Sequence, residues 1–484
     1  MLSQKYKASP YNLLIPIEET EEFLLYNTFL GGIEILTQKE GILLSELMSL
    51  QKIYEDRIPS LHKDLFKYLL SKDYIIKEQD FINFAENLYL KRKKLESANG
   101  IYLTIGTTIT CNMACPYCFE FHKPKDMLKD QKTFEKIVSY LQEILSMERN
   151  IKKLFVTWYG GEPLLNMKAI KSLSPMFIEL CEKNNIAYET DLITNGIFLT
   201  PENVKILQEN AVNQAQVTLD GAQETHDKYR PLKKHGDENY TKILENLSLL
   251  PDNFQINLRM NIDKEVAKTI PVLLSDLQKY NIWPAKYRSF SFSPAWLRTY
   301  DGEIISEQEK KKRLTVDEFF EVKQNFRFTQ IKIFNEWATN KNIRTAKLAW
   351  ELPQFQSDCP TWVSPYGLVI DPLGNIHKCW ETIHEAKKAP SNVFEGYKKE
   401  HFKDYTDFNR YNVNEICRNC KFLPVCDQIS CSHQALKNTI PQCTYWKYKA
   451  EDFIKEQYLR LRSNPEQISS PVSNLAINTG HTNK

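Results

Sequence analysis

Cys111-Asn112-Met113-Ala114-Cys115-Pro116-Tyr117-Cys118 places three thiols in eight residues, directly after the apolar-alternating run from Ile101 to Ile109. Four thiolates normally hold an iron-sulfur cluster, so a compact group of three with no fourth nearby implies one iron left open to a ligand that is not protein. A structural zinc site would more naturally bring a fourth Cys or His. Three buried core thiols are the remaining alternative, because free Cys packs as a small hydrophobe.

From Ile101 onward the pattern is strand then helix, repeated. Candidate strands are Tyr102–Thr107, Leu154–Trp158, Thr190–Ile193, Gln216–Leu219, Gln255–Met260 and Tyr287–Phe292. Such units predict a parallel sheet. Polar motifs follow the strand ends. Gly160-Gly161-Glu162-Pro163 comes after the second strand. Two glycines let backbone approach a ligand closely, and the carboxylate can accept hydrogen bonds from an ammonium group; alone, the four residues would be a turn. Thr194-Asn195-Gly196 follows the third strand and Thr218-Leu219-Asp220-Gly221 the fourth, with Arg230 shortly behind. A strand-end hydroxyl with an arginine can hold a carboxylate and a ribose, the guanidinium supplying a two-pronged donor. The alternative is a core-facing Thr and a surface Arg. Arg259 and Asn261 hold the corresponding place on the next strand.

Seven of the eleven cysteines lie in the last third: Cys359, Cys379, Cys417, Cys420, Cys426, Cys431 and Cys443. Asp371-Pro372-Leu373-Gly374 is a turn between two apolar strands, so Cys379 belongs to a hairpin. Paired CxxC-like halves are also what a zinc ribbon would show. Cys181, among Met176, Phe177 and Leu180, reads as a core thiol.

The first thiol group, with aromatic Tyr117 before its last cysteine, resembles the CxxxCxφC signature of the radical S-adenosylmethionine (radical SAM) superfamily. The resemblance implies an α/β fold whose centre is a partial (β/α)6 TIM-like radical SAM barrel, chemistry at the carboxyl ends of its strands, and a four-iron four-sulfur cluster on Cys111, Cys115 and Cys118. S-adenosylmethionine would chelate the open iron. Tyr117, Gly160, Gly161, Glu162, Pro163, Thr194, Asn195, Thr218, Asp220 and Arg230 would contact the cofactor, the GGEP motif taking its amino group, and Thr218 and Arg230 its carboxylate. The late cysteines resemble the SPASM extension, although four residues rather than three separate Cys426 from Cys431. By that resemblance Cys417, Cys420, Cys426 and Cys443 hold one auxiliary cluster. Cys359, Cys379 and Cys431 hold another, one thiolate short of four, where a substrate thiolate could bind. Three [4Fe-4S] clusters are thus implied, with an external one-electron reductant of flavodoxin or ferredoxin type.

The amino-terminal segment reads as short strands, Tyr11–Ile17, Phe23–Asn27 and Ile33–Leu36, followed by two helical stripes through Leu44 and Phe66, a strand at Tyr74–Ile76 and a helix from Asp80 to Leu95. It is similar to the winged-helix-like α+β peptide-recognition domain of peptide-modifying relatives, and a purely structural cap is the alternative. The expected division is 1–96 for this domain, 97–320 for the barrel, 321–354 for a helical bridge, 355–462 for the iron-sulfur-binding SPASM domain and 463–484 for a disordered tail. Together these imply an enzyme that modifies a ribosomally made precursor peptide or protein, for example by a thioether or carbon-carbon crosslink. An anaerobic sulfatase-maturase-like enzyme forming formylglycine is one alternative, and a non-catalytic iron-sulfur or zinc peptide-binding protein another.

Composition narrows the partners. A net charge of +2 from 63 basic and 61 acidic residues argues against nucleic acid. Lys91-Arg92-Lys93-Lys94 reads as the wet face of a helix. The absence of a signal peptide and of a long apolar run predicts a soluble, cytoplasmic protein without a membrane partner.

Overall fold

Strand-period alternation near the amino terminus gives way to helical spacing after Thr37, and the backbone follows it. In the computed structural model, which describes residues 4–81, 84–120, 125–233, 239–297, 306–437, 443–463 and 468–469, strands β2 (Asn12–Ile17), β3 (Glu22–Asn27) and β4 (Ile33–Thr37) form an antiparallel meander. A second sheet sets β1 (Lys5–Ala8) between β5 (Ile53–Tyr54) and β6 (Ile75–Lys77). Helix α1 (Gln38–Ser49) starts where it does because Thr37 and Glu40 form a capping box. With α2 (Lys63–Ser71) it closes a core of Leu25, Leu44, Phe66, Leu69 and Ile75. Short α3 (Glu78–Phe81) and α4 (Phe84–Ala98) follow.

This segment does not stand alone. Contacts divide the chain into two units, and the first joins 1–94 with 343–358 and 409–484. Tyr89 on α4 donates to Asp358, which also receives the Arg410 Nε–H at 2.9 Å; both charged side chains are almost wholly buried. Asn409 donates to Glu86 at 2.7 Å. In the basic run expected to be wet, Arg92 instead lies 4.3 Å over the Phe355 ring. The tail expected after 463 falls outside the described residues apart from Ile468–Ser469, which pairs with Leu348–Ala349.

The second unit, 95–342 with 359–408, holds the expected parallel strands in sequential order. They are β7 (Gly100–Thr108), β8 (Lys153–Gly160), β9 (Ala187–Thr194), β10 (Gln214–Thr218), β11 (Gln255–Ile262) and β12 (Phe290–Trp296). Helices α5 (Gln131–Met147), α6 (Met167–Asn184), α7 (Pro201–Glu209), α8 (Gln223–Tyr229), α9 (Asn239–Leu249) and α10 (Lys264–Lys279) come between them. Strand alternation gives the sheet two characters. Val156, Leu192, Val217 and Leu258 are fully buried in the large apolar core of the unit. The opposite face is largely polar: Thr157 is in register with Asp191, and Gln216 with Asn257 and Asn257 with Ser291.

Two placements differ from the sequence reading. The sixth strand starts at Phe290 rather than Tyr287, because the Tyr287 ring packs on Phe334 and Trp337 of α12 (Val316–Asn340), which follows the short α11 (Glu307–Lys312). The Cys379 hairpin, expected within one late extension, continues the barrel sheet: Gly367–Ile370 pairs in parallel with β7 and covers its edge. Residues 359–408 therefore pack with the barrel, and 409–463 with the amino-terminal unit. Among the described residues no helix is long and apolar enough to cross a membrane.

Removing one partner of a buried ion pair strands the other charge. Arg410→Ala is expected to cost about 3–5 kcal/mol, read as a lowered denaturant midpoint. Asp358→Leu with Arg410→Met should recover part of that loss.

Candidate functional site

Strand β7 delivers the chain to the thiol loop, and the loop is fastened on both sides. Ala114 N–H donates to Pro231 O at 2.8 Å and Lys233 N–H to Asn112 O at 2.9 Å. The Asn195 side-chain amide donates to Asn112 Oδ1 at 2.7 Å. Cys111 is buried, whereas Cys115 and Cys118 are half-buried. Among the described residues no three Cys, His, Asp or Glu side chains converge on a single metal ion; thiolates of a four-iron cube each bind a separate iron and share no such centre.

The Gly160-Gly161 pair makes its close approach to the stem of this loop. Gly161 N–H donates to Thr108 O at 2.9 Å and Glu162 N–H to Thr110 O at 3.1 Å. A Cβ on Gly160, whose φ is +127°, would stand 2.0 Å from Thr108 O, and one on Gly161 would stand 2.4 Å from Ile109 O. No side chain fits at either position.

Glu162 is fully buried. Its carboxylate accepts from Leu164 N–H at 3.0 Å, Thr194 Oγ1–H at 2.8 Å and Asn195 N–H at 2.8 Å. Burial pushes its pKa up, against the pull of those donors. One carboxylate thus joins the second and third strand ends, and Asn195 carries the link to the thiol loop.

The fourth strand end builds a second knot. Tyr117 donates its hydroxyl to Asp220 and accepts from Arg230 Nη1 at 2.7 Å. Asp220 also accepts from Asn261 N–H at 2.8 Å. Asp220 N–H donates to Nδ1 of the buried His226 at 3.1 Å, so the imidazole carries its proton on Nε2. Burial, reinforced by Arg230, depresses the His226 pKa and keeps the ring neutral. Burial alone would lower the Arg230 pKa, but Tyr117, Cys115 and Asp220 hold it above its ordinary value. Arg230 Nε is buried with no hydrogen-bond partner among the described residues. Thr218 closes β10 in register with Arg259.

In the first unit Cys417, Cys420, Cys426 and Cys443 line one cavity together with Phe422 and Lys447. Asn414 caps the turn that presents Cys417, accepting its N–H at 2.7 Å, and Lys447 Nζ lies 3.5 Å from Cys443 Sγ. Burial pushes the Cys426 thiol up to about 11. Cys359 begins the turn Pro360–Val363, Cys379 follows the hairpin strand Asn375–His377, and Cys431 lies between the short helices Asp427–Ser430 and Ser432–Lys437. Cys181 is a buried thiol of α6, as expected.

Comparison with known proteins identifies the barrel. Residues 105–263 match the family model of the radical SAM superfamily. This stretch is a radical SAM domain. A serine-type anaerobic sulfatase-maturating enzyme of Bacteroides thetaiotaomicron is 28% identical over 184 residues, covering 36% of this chain and 39% of that one. A GTP 3',8-cyclase of Clostridium perfringens is 29% identical over 228 residues, 46% of this chain and 61% of the cyclase. The chain thus spans less than two thirds of the length of these curated relatives. A cysteine-type maturase of Clostridium novyi is 22% identical over 340 residues, 65% of this chain and 83% of that one. The solved structure of native anSMEcpe with bound AdoMet and Cp18Cys peptide shares the fold, at a TM-score of 0.51 and 16% identity, covering 75% of this chain and 98% of that one.

Radical SAM domains use S-adenosylmethionine and an iron-sulfur cluster, and the residues present suit both. Three thiols occupy one loop, Glu162 is a buried carboxylate, and Arg230 has a buried N–H with no partner among the described residues, groups that would suit an ammonium and a carboxylate. Sequence reading missed Asn112 and His226. An Asn directly behind the first Cys and a His six residues after Asp220 were the available signals.

Gly160→Ala is expected to lower the thermal midpoint and the iron retained after anaerobic reconstitution. Gly31→Ala, also at positive φ (+74°) but with open space around it, controls for backbone strain alone and should retain its iron.

Proposed function

We propose that the chain is a radical SAM enzyme that oxidises a side chain of a peptide or protein substrate, a ribosomally made precursor being the substrate class. The observation that carries this reading is the four-cysteine cavity in the same chain as the radical SAM domain, since it gives a removed electron somewhere to go. When bound, S-adenosylmethionine on the reduced cluster supplies a 5′-deoxyadenosyl radical that takes a hydrogen atom from carbon. Cys111, Cys115 and Cys118 hold that cluster. Glu162 accepts from the cofactor ammonium, and Arg230 offers its unpaired N–H to the carboxylate. Asp220, Asn261 and Tyr117 fix the guanidinium in place.

Cys417, Cys420, Cys426 and Cys443 would hold an auxiliary cluster, which would supply an acceptor for an electron. Cys359, Cys379 and Cys431 are assigned to a second one. A flavodoxin- or ferredoxin-type protein in the cytoplasm provides the starting electron, and the amino-terminal strands and helices recognise the substrate. The maturase relatives favour a second reading about equally, oxidation of a Cys or Ser side chain to formylglycine.

The test is to incubate reconstituted, reduced protein with S-adenosylmethionine and synthetic peptides carrying a central Cys or Ser. The expected result is 5′-deoxyadenosine together with a peptide that has lost two hydrogens, sulfur being exchanged for oxygen as well where a Cys becomes formylglycine and its thioaldehyde is hydrolysed. A hydrazide probe separates the outcomes, since formylglycine reacts and a crosslink does not; no 5′-deoxyadenosine at all would reject catalysis. Cys417→Ala with Cys420→Ala should remove about four irons per chain and reduce modified peptide far more than 5′-deoxyadenosine.

A further inference from the structure

A carboxylate stands on the polar face of the barrel sheet without a structural task. Asp191 lies in the middle of β9, in register with Thr157 of β8. It shares its face with Ile193, and through Ile193 with Gln216 and Asn257. Arg259 and Asn261 continue that face, and the Asn261 side chain reaches the hydroxyl of Tyr117 in the thiol loop at 3.5 Å. Asp in a strand interior is unfavourable for the strand itself. Among the described residues its one hydrogen bond comes from the next amide, Leu192 N–H at 2.8 Å, and no Lys or Arg forms an ion pair with it. Glu162, Asp220 and Asp358 are tied to several partners; Asp191 is half-buried, and among the described residues its second oxygen has no hydrogen bond.

We infer that Asp191 is the group that takes up the proton released when the substrate is oxidised. The inference rests on the function proposed above, and the chemistry requires such a group under either reading. A new bond between carbon and a heteroatom X, single in a thioether or double in an aldehyde precursor, forms at the expense of one C–H and one X–H bond. The carbon-bound hydrogen leaves as an atom and ends in 5′-deoxyadenosine. One electron passes to an oxidised auxiliary iron-sulfur cluster. The proton from X–H remains, and the Asp191 carboxylate accepts it and returns it to solvent.

Burial pushes the Asp191 pKa up to about 6, opposed by the Leu192 amide, which suits a base working near neutrality. The charged groups around it leave that setting alone. Glu189, on the same strand face, is engaged by Lys153 of β8 at 2.9 Å. Tyr159 on β8 is a phenol, β10 contributes Gln214 and Gln216, and Arg259 on β11 donates to Asn261 at 3.0 Å. The turn Pro163–Asn166 has no titratable side chain, and α6 meets the other face, where Phe177 contacts Tyr188.

The experiment compares wild type with Asp191→Asn, which keeps the shape and the acceptor for Leu192. In wild type, product formation from a turned-over peptide of the panel should rise with pH through about 6 and level off above it. The variant should lose that limb, drop at least tenfold in product and raise the ratio of 5′-deoxyadenosine to product. A folded-state pKa above the unfolded value means that an ionised Asp191 destabilises the fold as pH rises past the ordinary carboxylate range. The variant should therefore melt no lower than wild type at pH above 7, which separates lost chemistry from lost folding. Product at the wild-type rate with the wild-type profile would overturn the assignment. If no peptide of the panel is turned over, an infrared difference titration reads Asp191 directly, a carboxyl midpoint near 6 supporting it and one near the ordinary Asp value overturning it. A wild type that makes no 5′-deoxyadenosine rejects the underlying reading instead, and Asp191 with it.

Discussion

The close packing of Gly160 and Gly161 against the backbone from Thr108 to Thr110 is the constraint on which the site depends. It brings the end of β8 onto the stem of the thiol loop with no side chain between them. The carboxylate of Glu162 then falls where the amide of Asn195 and the hydroxyl of Thr194 can reach it. Asn195 in turn holds Asn112, so two glycines fix the relation of three strand ends to the cysteines. Any Cβ at Gly160 would have to displace backbone rather than a flexible side-chain tip, and backbone inside a sheet has little freedom to move.

The electrostatics of the two knots are costly unless something is to be bound. Glu162, Asp220 and Arg230 are ionisable groups removed from water, and burial raises both carboxyl pKa values. Their internal hydrogen bonds reduce the cost without using every donor: Arg230 Nε still points at no acceptor among the described residues. A buried anion and a buried cation, each with capacity left, are the complement of an amino acid's ammonium and carboxylate. Packing alone would have been served better by apolar residues of the same volume.

What could be read from sequence was what is local along the chain. The thiol loop, the strand-end motifs and the strands after Ile101 lie within short windows, where spacing carries the chemistry and alternation the geometry. The pairing of Gly367–Ile370 with β7 joins positions some 260 residues apart and has no local signal; it follows from an open barrel having an edge to cover. The Asn112–Asn195 bond is likewise a product of the fold. Asp191 lies between these cases. Its strand was legible in Glu189-Thr190-Asp191-Leu192-Ile193, but that among the described residues no Lys or Arg pairs with its side chain is a property of neighbouring strands.

The same distinction bears on the amino-terminal segment. In sequence it is a separate block, and cutting the chain near residue 95 looks like a clean way to ask whether it recognises substrate. In the fold, α4 supplies Tyr89 to Asp358 and Glu86 to Asn409, inside the unit that also holds Cys417, Cys420, Cys426 and Cys443. Truncation would leave Asp358 with one donor fewer and remove the helix from beside the segment bearing Arg410. Loss of turnover would then report a damaged four-cysteine cavity as readily as a lost recognition surface. Substitutions at exposed side chains of the meander, such as Ile35 on β4, leave those bonds intact and so separate substrate recognition from the integrity of the four-cysteine cavity.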